Sequence, residues 1–171
     1  MNIFETFIFM LIFLHGACML FDEFFFHHKR KLPKWERIGH PIDTLFFILC
    51  YCIIIFLPIS NTTILLYFIF SVLSCLIITK DEFIHLKNCC TYEQYLHAIL
   101  FVLHPIILIV LFCSWVNFST TELVIFRQIN LPHLKDLIAA QFGLAVIFFF
   151  YQIIYWNIIF KDEKNVTKVI N

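Results

Sequence analysis

Residues 95–116 read YLHAILFVLHPIILIVLFCSWV. No Lys, Arg, Asp or Glu interrupts the run, and it is as long as the ~20 apolar residues a helix needs to cross a bilayer. Four more stretches, 3–21, 41–59, 63–79 and 138–160, are apolar and of about the length a crossing needs, the third being the shortest. The composition agrees, with 61% hydrophobic and only 14% charged residues and a mean hydropathy of +0.89, more than a soluble core accounts for. The chain is therefore expected to be an all-α integral membrane protein of about five transmembrane helices, one membrane domain over 1–171. Only Pro58 to Thr62 separate the second and third spans, which makes that pair an antiparallel hairpin.

Against this apolar background one polar pattern occurs twice. His28, Glu36 and His40 have the same spacing as His85, Glu93 and His97, and an acidic pair precedes each copy: Asp22 and Glu23, then Asp81 and Glu82. The repeat is imperfect, because Asp22 lies six residues before His28 whereas Asp81 lies four before His85. It divides the chain into halves of approximately 1–59 and 60–117, with 138–160 as an appended helix that carries Gln141, Gln152 and Asn157 but no copy of the motif. The first four spans are expected to form a four-helix bundle of two helical hairpins related by a pseudo-twofold axis along the membrane normal.

Orientation follows from the basic residues. Ten of the twelve Lys and Arg fall in segments 27–40 and 80–92 and in the tail after 160, and only Arg127 and Lys135 fall on the other side. The positive-inside rule then predicts an outer N-terminus, a cytoplasmic C-terminus and both motif copies at the cytoplasmic face. No basic segment precedes the first span, and His15, Gly16 and Ala17 before Cys18 make no convincing cleavage or lipidation site, so that span is expected to be retained. The basic run 29–37 is read as a topology signal that touches anionic headgroups. With a formal net charge of zero there is no footprint for nucleic acid, and the expected partners are the lipid bilayer and a lipid-like small molecule. Asn61 and Asn117 match glycosylation acceptors on the predicted outer side.

Within the motif, Glu23 and His27, Glu36 and His40, and Glu93 and His97 are four apart, and Glu82 and His85 are three apart. Each spacing puts both members on one helix face. Four helix ends thus each offer a carboxylate and an imidazole at one membrane face, an inventory suited to a pair of divalent metals. The expected metal set is Glu23, His27, His28, Glu36, His40, Glu82, His85, Glu93 and His97, with Asp22, Asp43 and Asp81 in supporting positions. Interfacial solvation and salt bridging with the neighbouring basic residues is the competing account.

In ligand inventory and symmetry such a bundle resembles the carboxylate- and histidine-ligated di-iron proteins. In placement it resembles the histidine-box membrane hydroxylases and desaturases, although His27 and His28 are one lone doublet where that group has clustered boxes. The resemblance implies a di-iron or other divalent metal pair and an oxidoreductase acting on a hydrophobic substrate. A non-catalytic metal carrier or assembly factor is the other class consistent with the residues.

His15 and His104 lie deeper, seven residues before Asp22 and seven after His97, or about 10 Å along the helix. They are open to four readings: a second ligand layer, a proton relay, the axial pair of a haem b in a small electron carrier, or imidazoles hydrogen-bonded to neighbours. Pro105 is expected to kink its helix and free the carbonyl of Phe101. His133, on the opposite side, is not expected at the site. Cys18, Cys50, Cys52, Cys75 and Cys113 lie in apolar spans and read as packing. Cys89 and Cys90, beside the second motif, remain available to a soft metal.

Overall fold

The chain is described by a computed structural model over residues 3–119 and 133–160, with the side chains of residues 4, 81, 84–88 and 117–119 excepted. Helix α1 (Ile3–Phe21) runs on through a π-helical turn (Asp22–His27) and a last turn (His28–Arg30). It is followed by α2 (Lys34–Phe56), α3 (Asn61–Asn88), α4 (Thr91–Ser119) and α5 (Leu134–Ile153), which ends in a second π turn (Ile154–Ile159). All five are long and apolar enough to cross a membrane, and no strand occurs among the described residues. This is an all-α, multi-pass membrane protein.

The helices are longer than their apolar spans. α2 begins at Lys34 rather than near 41, α3 reaches Asn88 rather than 79, and α4 begins at Thr91 rather than 95. Glu, Gln, Lys and Arg are good helix formers, so the helix continues past the apolar boundary into the polar stretch. The motif residues consequently sit on rigid helix ends. Among the described residues, Lys31–Pro33 and Cys89–Cys90 link the helices at this end, called the basic end below. Pro33 keeps Leu32 out of the helical region, and Lys31 turns the chain with φ 66°. At the far end, Ser60 and Thr63 cap α3 reciprocally: the Thr63 amide donates to Ser60 Oγ at 3.2 Å and the Ser60 amide to Thr63 Oγ1 at 2.9 Å, in the manner of a capping box.

Around the bundle α1 packs on α4, α4 on α3, α3 on α2 and α2 on α5, with α2 also reaching α4 across the middle and α5 touching α1 lightly. Buried Ile12, Tyr51, Tyr67, Ile107, Leu111 and Trp115 fill the half of the bundle away from the basic end. In lipid, association rests on close packing and interhelical hydrogen bonds. Tyr67 donates to the Leu108 carbonyl at 2.6 Å and Trp115 to the Leu57 carbonyl at 3.3 Å. α5 is tied to α2 by Thr44 on Gln152 at 2.9 Å and Tyr51 on Gln141 at 3.0 Å. This appended helix supplies side chains to the site as well.

Candidate metal centre

The π turn builds the centre. Residues five apart on an α-helix point about 140° from each other, so Asp22 and His27 would face different neighbours. Widening the turn to an i to i+5 pattern brings Asp22, Glu23 and His27 to the same interior, where all three are buried. His27 Nδ1 lies 3.1 Å from Glu23 Oε2, and His27 Nε2 lies 3.0 Å from Asp22 Oδ2. From α4, His97 Nε2 reaches the same Asp22 oxygen at 2.9 Å. His40, from α2, sets its ring edge-on to His27 with centroids 4.7 Å apart.

Two overlapping sets of donor atoms result, each within 4.8 Å of one another: Asp22, His27, Glu93 and His97, and Glu23, His27 and His40. Their outer contacts are ordered. A carboxylate only accepts, so Glu23 takes the Nδ1 proton of His27 and directs Nε2 toward Asp22. Glu23 is itself held by the Trp156 indole N–H from the end of α5. A carboxylate behind an imidazole, fixing its tautomer, is the usual support of a metal-ligating histidine. Asp22 Oδ1 is buried with no hydrogen-bond partner.

Beside these sets lies a cation that the motif reading missed. Arg30 donates to both oxygens of Glu36, at 3.1 and 2.6 Å, and through Nε to Glu93 at 3.0 Å. This end thus buries four carboxylates, Asp22, Glu23, Glu36 and Glu93, with one guanidinium that reaches only the last two, which leaves three formal negative charges for imidazolium protons or a metal to balance. The only advance signal for Arg30 was its place in the basic run.

Several expected ligands lie elsewhere. Glu36 joins neither donor set, because Arg30 engages both its oxygens. His28 is exposed and turned toward α5: one ring nitrogen is 2.7 Å from the Tyr151 hydroxyl, the other 3.3 Å from that of Tyr155, and the ring stacks on Tyr155 at 4.6 Å. The step from His27 to His28 rotates the side chain about 100° around the helix, so the doublet cannot aim both rings inward. Asp22, expected in support, stands inside the first donor set, with one oxygen facing both His27 and His97. Glu82 is half-buried and lines the adjoining cavity without entering either set. The side chains of His85 and Asp81 lie outside the described residues. Cys89 and Cys90 are in neither set, and burial pushes the Cys89 thiol up, away from the thiolate that binds metal.

The deeper residues form a second layer. Asp43 accepts from Ser74, and Ser74 Oγ lies 2.8 Å from His104 Nε2. Asp43 thereby links to the deep histidine, 3.7 Å away. The His15 and His104 rings are 5.7 Å apart and inclined by 59°, and Phe47 lies against both. Nε2 of His104, one of the nitrogens an axial haem ligand would offer, is 2.8 Å from Ser74 Oγ, and Phe47 packs on both rings. His133, as expected, is remote from the centre: its backbone amide donates to Glu5 Oε1 at the far end.

A cavity of about 90 Å³ adjoins the cluster and runs from Glu82 and Asp22 to His15 and His104. The molecule is thus a five-helix membrane protein with a buried imidazole and carboxylate centre at one end of its bundle. No family model, curated protein or solved structure matches the chain.

Proposed function

We propose that this chain is a membrane metalloprotein of the non-haem iron oxidoreductase type, with the centre at the cytoplasmic face and an apolar molecule as substrate. One observation carries the proposal: His27 Nε2 and His97 Nε2 converge on Asp22 Oδ2 at 3.0 and 2.9 Å. For metal to ligand distances of about 2.1 Å, neighbouring donors on an octahedron stand about 3.0 Å apart. Two imidazoles and one carboxylate with positions left open are the donor set of non-haem iron oxygenases, and imidazole with carboxylate suits iron better than a thiolate set would.

The residues fit such an ion. His27, His97 and Asp22 would hold it, with Glu93 next to them, and Glu23 and His40 would complete a second, adjoining position for a metal pair. When bound, the iron would supply an electron-transfer centre with an open position. The chain's own contributions are distinct: Glu23 and Trp156 fix the His27 tautomer, Arg30 bridges Glu36 and Glu93 and offsets one of their two charges, and the π turn aims Asp22 inward. A centre without metal needs three imidazolium rings to balance the three excess carboxylate charges. His27 lies 4.7 Å from His40 and 6.2 Å from His97, centroid to centroid, and like charges buried this close repel.

The test is elemental analysis of the detergent-purified full chain after loading with iron(II), zinc or manganese, beside two adjacent variants. His27→Ala is expected to abolish retention of iron, and His28→Ala to leave it unchanged. Glu23→Gln is expected to weaken iron binding by about 10 to 100-fold, the usual effect of losing a carboxylate behind a ligand imidazole. A parent protein that retains no metal, or equal losses in the two histidine variants, would overturn the proposal. Oxygen consumption by the iron-loaded parent in native membranes then separates an enzyme from a metal carrier or assembly factor.

A further inference from the structure

A second cavity, of about 300 Å³, lies between α1, α2 and α5, within the size range of small-molecule sites, roughly 300 to 1,000 Å³. Met19, Phe47 and Phe148 form its apolar walls. At its mouth Phe24, Leu144 and Ile147 are 52%, 63% and 68% exposed. In a membrane-spanning bundle such side chains face lipid, so the mouth opens sideways to the bilayer, where α1 and α5 touch only lightly.

The inner end of this cavity is polar. His15 and His104 are 4% and 5% exposed and line both cavities. Ser74 gives its proton to Asp43, so it accepts one from His104 Nε2. His15 has no such partner: among the described residues its contacts are ring on ring, with Phe47 and His104. An imidazole offers one donor and one acceptor in its neutral form, and leaving both unused at membrane depth is costly. Asp43 also lines the inner end and disfavours an anionic group there.

We infer that this cavity binds a neutral, bilayer-soluble molecule with a terminal hydroxyl or carbonyl group, its polar end on His15 and its apolar tail between α1 and α5. His15 and His104 join the cavity to the metal-ligand cluster, so the inference names the substrate class of the site proposed above. It rests on that reading for the chemistry of the site and not for the binding.

The experiment is photolabelling of the purified full chain in lipid nanodiscs with a diazirine-bearing long-chain alcohol, the adducts being mapped by mass spectrometry. Labelling is expected on cavity residues of α1 and α5 and is competed by dodecan-1-ol but poorly by dodecanoate. Ala145→Phe fills the cavity from α5 without touching a histidine, and should reduce labelling about tenfold or more. His15→Phe keeps a ring at the inner end but removes its hydrogen bonds, and should weaken competition by dodecan-1-ol several-fold. Labelling spread over the lipid-facing surface and indifferent to Ala145→Phe would overturn the inference, as would preference for dodecanoate. Iron retention is measured in the same preparations. An unlabelled parent that retains iron defeats this inference alone, and a labelled parent that retains no iron leaves this inference standing while the metal reading fails.

Discussion

Arg30→Gln is the sharpest perturbation of the centre, because one side chain holds two buried carboxylates. At the side chain Glu36 is 0%, Glu93 2% and Arg30 14% exposed. Removing one partner of a buried ion pair costs about 3 to 5 kcal/mol, chiefly because it strands the other charge. The partial access of Arg30 to solvent places the expected loss at the lower end, about 3 kcal/mol for the metal-free protein. Adding Glu36→Gln removes the better-bonded of the two stranded charges, so the double variant should be less destabilised than Arg30→Gln alone, with a coupling energy of about 1.5 to 3 kcal/mol. Iron(II) should stabilise Arg30→Gln more than the parent, since Glu93 is freed toward the metal. Saturation at about 100 times the dissociation constant contributes about 2.7 kcal/mol in any case. The assay is equilibrium unfolding in mixed micelles, followed by far-ultraviolet circular dichroism with and without iron(II). A metal-free Arg30→Gln within about 0.5 kcal/mol of the parent, or strictly additive losses in the double variant, would refute the charge argument.

Two further predictions concern the bundle. Gln152→Leu removes the acceptor that Thr44 uses between α5 and α2, and is expected to cost about 0.6 kcal/mol and at most about 1.7, the average and the maximum measured for interhelical hydrogen bonds in membranes; stability equal to the parent would place the hold of α5 in packing alone. A reporter fused after Asn171 should be cytoplasmic and one inserted at Asn61 should not; both reporters on one side would remove the orientation and the cytoplasmic placing of the centre.

Hydropathy is a local, additive property of the chain, so the apolar runs alone announced five membrane helices, and the positions of Asp, Glu and His announced a polar cluster where those helices end. One close spacing also survived folding intact: Glu23 and His27, four apart, meet at 3.1 Å. What tertiary structure decided was which side chains share the interior. The choice of His27 over His28 depends on rotation about one helix, and the inward turn of Asp22 depends on a π turn that periodicity does not reveal. The pairing of Arg30 with Glu36 and Glu93 joins the end of α1 to the starts of α2 and α4, and Trp156 reaches Glu23 from a helix that carries no copy of the motif. The contacts of Arg30 with Glu93 and of Trp156 with Glu23 are relations between segments distant in the chain, set by how the helices pack. Spacing along one strand of sequence encodes angles on one helix, and the partner facing that angle is supplied only by the other helices of the bundle.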